Sequence, residues 1–243
     1  NRQDKGGFHM FYPYGFGIPT DSGFIWVLIA LGISALAGMW VNSTFDKYKK
    51  VPSTKSGAEA ARHVLDANGL RNVRIERVAG NLTDHYDPRS NVVRLSQSTY
   101  DSKSAAAVGV AVHEVGHAIQ HAEGYWPVKL RTNIVPLVNI CSNMAVPLFI
   151  IGLVLRVSGL VWLGVILFAA TFIFGIVTLP VEFNASSRAV KTMESDSYFS
   201  KADLEGSKKV LTAAASTYLA SVLVSLAQLL RFIGLAQNND RRR

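Results

Sequence analysis

Three stretches of this chain, Phe24 to Val41, Ile134 to Leu155 and Leu160 to Val181, contain no Asp, Glu, Lys or Arg. Each approaches the roughly 20 apolar residues that cross a bilayer as a helix. A fourth stretch, Val210 to Ala236, is interrupted by hydroxyl side chains, Gln228 and Arg231, and reads less cleanly as a span. With 49% hydrophobic residues and a mean hydropathy of +0.21, the chain is unlike a purely soluble protein. The expected fold is an α-helical membrane protein with about four hydrophobic spans. Phe24 to Val41 is longer than a signal core and ends on bulky Trp40 and Val41, so it reads as a retained anchor. Only Arg156-Val157-Ser158-Gly159 separates the second and third stretches, which therefore form a hairpin whose two outer ends share one side of the membrane.

Between the first span and the hairpin lies a polar segment, residues 42–133. It opens with Lys47, Lys49, Lys50 and Lys55. Ser56-Gly57-Ala58-Glu59 has capping-box spacing and starts an amphipathic helix that Gly69 stops. Val73 to Val78 alternates apolar and charged residues like a half-solvated strand. In His85 to Ser96, Asp87-Pro88-Arg89-Ser90-Asn91 is turn chemistry between two strand-like runs, which predicts a small hairpin able to take an extended peptide along its edge. Residues 1–20, rich in glycine and aromatics, read as an irregular arm. Residues 182–209 read as a charged polar segment after the third span, and 237–243 as a tail, frayed at its arginines. The polar side chains of the fourth stretch are expected to pack on protein.

The polar segment carries His113-Glu114-Val115-Gly116-His117, the H-E-x-x-H pattern of zinc peptidases, directly after the apolar run Ala105 to Val112. Histidines four apart on a helix stand one turn above each other and can share one tetrahedral Zn2+ ion, with Glu114 beside the water to be activated. Two imidazoles leave the ion short of a protein ligand. His121 is too far along the helix to join His113, since eight residues rise about 12 Å; it suits the helix C-terminus when protonated. Glu123 occupies the metzincin position but lacks the preceding glycine, Gln120 standing there. His85 next to the turn stays open as a ligand or a substrate contact. Glu182 follows the third span directly, on the face the hairpin returns to, and is expected to begin a helix; Ser186 four residues on could orient a histidine.

HEVGHAIQ, LTDHYDPRSNVVRLS, VEFNASSRA and GAEAARHVLDANGL together resemble the YugP-like bacterial neutral zinc metallopeptidases, a membrane gluzincin-like family, over Thr44 to Ile233. The resemblance implies His113, His117 and Glu182 as metal ligands, Glu114 as general base, and a small α+β zincin-like catalytic portion at the membrane surface. Gluzincins commonly carry aspartate where this chain has Ser186, and a neutral hydroxyl orients histidine without supplying charge.

The function these readings imply is a zinc-dependent, membrane-bound endopeptidase acting on membrane or juxtamembrane protein substrates. Tyr86, His85 or Arg188 would stabilise the oxyanion. Thirteen Lys and Arg in 42–133 and five in 182–209 place the catalytic face in the cytoplasm of a bacterial cell. The net charge of +8 is read as topology, because the cations form no basic helix with interleaved aromatics for nucleic acid. Cys141 is a single cysteine, so no intrachain disulfide forms. Two rivals stand beside it. An intramembrane site-2-type protease would carry H-E-x-x-H inside a span, whereas Ser104 to His121 holds Glu114 and three histidines and has charged flanks that suggest an interfacial helix. The other is a non-catalytic membrane scaffold that retains a metal site. Substrate and oligomeric state are not legible.

Overall fold

The computed structural model describes residues 22–241; the arm expected over residues 1–20 lies outside them, as do Arg242 and Arg243. Four helices are long and apolar enough to cross a membrane. They are α1 (Ser22–Tyr48), α5 (Trp126–Val154), α6 (Ser158–Ser195) and α7 (Lys201–Arg241). They stand in the row α1, α7, α6, α5, each packing chiefly on its neighbours in that order. Their outer faces expose large apolar side chains such as Trp26, Leu137 and Ile166, a surface suited to lipid and costly in water.

On one end of this row sits a small α+β layer. Helix α2 (Gly57–Ala67) starts at Ser56, whose side chain and that of Glu59 form the anticipated capping box. Strands β1 (Arg74–Val78), β2 (His85–Asp87) and β3 (Val92–Ser96) form a sheet in the order β1-β3-β2. β2 pairs antiparallel with β3, as the turn chemistry requires, while β1 joins β3 in parallel. A short α3 (Gln97–Tyr100) leads to α4 (Ala105–Ala122), the H-E-x-x-H helix. Val64, Leu65, Val93, Leu95, Val108, Val112 and Val115 build the core between α2, the sheet and α4.

Three expectations are corrected. Glu182 does not begin a helix. α6 runs unbroken from Ser158 to Ser195 through Pro180, and the polar stretch expected over 182–209 divides between the ends of α6 and α7. Proline is tolerated within such helices because neighbouring helices and local adjustments satisfy the freed backbone group. The tail is helical to Arg241, held where Asp240 accepts hydrogen bonds from Ser158 and from Trp162 Nε1 at the α5–α6 turn. The polar side of α7 packs on protein only in part: Tyr218 reaches the metal cavity beside Glu182, whereas Thr217, Ser221 and Ser225 donate to their own helix at the Ala214, Tyr218 and Val222 carbonyls. A serine or threonine in a helix can satisfy itself this way, without a neighbour.

Candidate metal centre

Helix α4 is buried along almost its whole length, and two of its glycines explain how. A Cβ on Gly116 would lie 2.7 Å from the Ala185 carbonyl oxygen of α6, and one on Gly109 would lie 2.8 Å from Ser207 Cα of α7. The backbones of α4 and α6 therefore touch between His113 and His117. That approach brings Glu182 opposite both imidazoles.

Glu182 Oε2 lies 3.5 Å from His113 Nε2 and 3.4 Å from His117 Nε2. These are the only three His, Cys, Asp or Glu residues among those described whose ligand atoms group for a metal. Ligands about 2.0–2.2 Å from a tetrahedral zinc stand roughly 3.4 Å from one another, so the separations suit that ion. Glu182 Oε2 is buried without a hydrogen-bond partner, an arrangement that costs about 1–3 kcal/mol unless a cation or donor meets it. The donor set thus fits zinc. Burial by itself would raise the Glu182 carboxyl, but the His113 and His117 imidazoles facing Oε2 outweigh it and hold the group well below the usual carboxylate range.

Each of the three side chains is held from behind. Ser186 Oγ meets His113 Nδ1 at 3.1 Å, the contact anticipated from the one-turn spacing to Glu182. His117 Nδ1 pairs with Gln120 Oε1 at 3.0 Å. Gln120 is fully buried, and its Nε2 donates to the Val181 carbonyl and Asn184 Oδ1 of α6. Arg131, from α5, donates to Glu182 Oε1 at 3.0 Å. Gln120, Asn184 and Arg131 were missed in the sequence. Their partners lie on other helices, although Arg131, the last cation before a span, was a visible signal.

Glu114 is buried and lines one cavity with His113, His117, Glu182, His85, Tyr86, Arg131 and Tyr218. Tyr218 comes from the middle of α7 and lines the cavity with Glu182. His85 stands at the cavity rim with Nδ1 against the Thr83 carbonyl. Tyr86 lines the cavity with its ring against His121, while its hydroxyl donates to Asn91 Oδ1 in the turn. Arg188 is turned away: it pairs with Glu123 at 2.7 Å, donates to Asn184 and does not line the cavity. Glu123, so occupied, is no ligand. His121 lines the cavity outside the ligand group, and burial, His117 and Arg131 all disfavour its protonated form, against the expectation of a charged C-terminal histidine.

Fold and centre together define a class: a bundle with four helices able to span a membrane, carrying at one end a site of two histidines and a glutamate suited to a divalent metal. The chain belongs to the family described as "Putative neutral zinc metallopeptidase", which it matches over residues 23–237. It is 50% identical over 218 residues to "Putative membrane protease YugP" of Bacillus subtilis (strain 168), covering 88% of this chain and 97% of that protein. No solved structure matches it.

Proposed function

We propose that this protein is a zinc-dependent, membrane-bound endopeptidase of gluzincin type that hydrolyses membrane or juxtamembrane segments of other proteins. One observation carries the reading: a buried, unpartnered carboxylate oxygen of α6 faces the Nε2 atoms of both H-E-x-x-H histidines at 3.4 and 3.5 Å. His113, His117 and Glu182 would hold one Zn2+ ion, which when bound supplies a Lewis acid and lowers the pKa of water.

The remaining chemistry belongs to side chains. Glu114, buried beside both histidines, takes a proton from the attacking water and passes it to the departing amine nitrogen. Ser186 and Gln120 set the ring orientation of the two histidines through Nδ1. Arg131 pins one oxygen of Glu182 and leaves the other for the metal. Tyr218 lines the cavity as a donor for the developing oxyanion, while His85, whose Nδ1–H donates to the Thr83 carbonyl, offers Nε2 as an acceptor for a substrate N–H. β2 is an edge strand of the sheet and both His85 and Tyr86 line the cavity, so an extended peptide can pair along it.

The cations of 42–133 and of 182–209 gather on the side that holds the centre, which supports a cytoplasmic catalytic face in a bacterial cell membrane. A scaffold that merely retains a metal would not need Glu114 in the cavity. The test is elemental analysis together with Glu114→Gln: one zinc per chain in both proteins, and proteolysis reduced by about 10²–10⁴-fold in the variant. Absence of stoichiometric zinc overturns the metallopeptidase reading, and unchanged proteolysis overturns the role of Glu114.

A further inference from the structure

Each of three helices reaches from the metal cavity to one aromatic cluster in 14 residues. On α7 the face is Tyr218, Ser221, Ser225, Gln228 and Phe232; on α5 it is Val135, Asn139, Ser142, Val146 and Phe149; on α6 it is Glu182, Thr178, Gly175, Thr171 and Phe168. Spacings of three and four keep each set on one side of its helix. At one end Val135, Tyr218 and Glu182 line the catalytic cavity. At the other, Phe232 stacks on Phe149 at 4.2 Å and meets Phe168 at 5.0 Å.

Between these ends α5 and α7 each pack on α6 and scarcely on one another. Ser221, Asn139 and Val146 are exposed, and Ser225, Gln228 and Ser142 are half-buried. A groove therefore runs about 21 Å along α6, most of the depth of a bilayer core, closed by phenylalanines and open into the catalytic cavity. Its lining is uncharged below Arg131 and Glu182, yet rich in hydroxyls and amides. Thr178, Ser142, Ser221 and Ser225 donate to carbonyls of their own helices, which leaves their oxygen lone pairs to accept. Thr171 Oγ1 is buried with no partner.

We infer that this groove receives an uncharged transmembrane segment of the protein to be cut, entering sideways from the lipid between α5 and α7. The inference rests on the peptidase reading and gives it a substrate class. A helix must unwind to present an extended bond at the metal, and in lipid the N–H and C=O groups so released need partners. The hydroxyls and amides along the groove supply them, and the absence of charge there leaves a charged occupant without a counter-ion.

The test uses the full chain with Cys141→Ala, reconstituted in phosphatidylcholine and phosphatidylglycerol vesicles. A benzophenone is attached at Ser225→Cys or Asn139→Cys in the groove, or at Ile173→Cys, an exposed position on the opposite face of α6. The probe is a synthetic single-span Leu/Ala peptide with an unstructured polar tail on the catalytic side. Groove positions should cross-link it at least about fivefold more than Ile173, and equal yields, or yields at Ile173 alone, overturn the inference. This measurement requires no hydrolysis, so it stands even if the zinc and Glu114→Gln tests overturn the enzyme. For the active protein, Ser225→Trp should lower cleavage of the span-bearing probe relative to an unstructured soluble peptide by about tenfold, and Ile173→Trp should not. An unchanged ratio in Ser225→Trp, or equal losses in both variants, overturns it as well.

Discussion

The two helices that supply His113, His117 and Glu182 differ in almost every respect except that they touch. α4 has 18 residues, begins at Ser104, whose hydroxyl accepts from the Ala107 N–H, and gives way to Gly124 at a φ of 68°. It is surrounded by a valine-rich core of soluble-protein kind. α6 has 38 residues, no side-chain cap, and an outer surface of exposed isoleucines. Local chemistry places α4, while only the rest of the bundle places α6. The centre is thus a joint between a core-held half and a bundle-held half, and damage to either should be separable.

The largest effect should follow removal of the α6 half. Glu182→Ala leaves two histidines, too few for a closed zinc site, and strips Arg131 of its buried partner. Zinc content should fall to background and proteolysis by more than about 10³-fold, with far-ultraviolet circular dichroism unchanged because the helix is held elsewhere. Retention of full zinc occupancy would reassign the third ligand.

Next comes the joint. Gly116→Ala places a methyl group against the Ala185 carbonyl, a clash that costs about 1–3 kcal/mol if the helices part. Zinc affinity, measured by competition with a chromophoric chelator, should drop by about tenfold or more while Glu114 remains in place. A wild-type affinity would mean that the two halves slide without cost.

Changes of comparable size but of either sign should come from the residues behind the histidines. Ser186→Ala and Gln120→Ala should each weaken zinc by about 10–100-fold, and Ser186→Asp, which adds the charge that gluzincins commonly place there, should tighten it. Competition titrations of the three variants side by side would show whether the bundle-side or the core-side support matters more.

The smallest effect lies in the α+β layer itself. Arg94, Ser90 and the Arg89 N–H hold the Asp87 carboxyl well below its ordinary range. A folded pKa below the unfolded value of about 4 means the contribution is complete above that pH and is lost as pH falls through the folded pKa. Amide exchange across β2 and β3 should accelerate only in that acid window, and Asp87→Asn should remove the pH dependence. Persistence of the dependence in Asp87→Asn would point to another acid.

How much was legible follows the same division. The capping box at Ser56 and Glu59, the Asp87 to Asn91 turn and the apolar windows are written in adjacent residues, because each rests on interactions within a turn or two of chain. The H-E-x-x-H pair was legible for that reason, and Ser186 followed from the one-turn spacing to Glu182. Glu182 itself came from counting spans, and its setting inside an unbroken helix was not foreseen, since Pro180 reads locally as a stop.

By itself, then, the sequence determined four apolar helices, a capped helix and hairpin, and two histidines with a glutamate on one helical face, all products of short-range periodicity. Only the tertiary structure decided that Gly116 lets α4 meet α6, that Arg131 and Gln120 hold the ligands, that Tyr218 reaches the cavity from the fourth span, and that α5 and α7 stand apart over α6. Those contacts join residues many tens of positions apart. Their geometry depends on how whole helices pack, which no local pattern encodes.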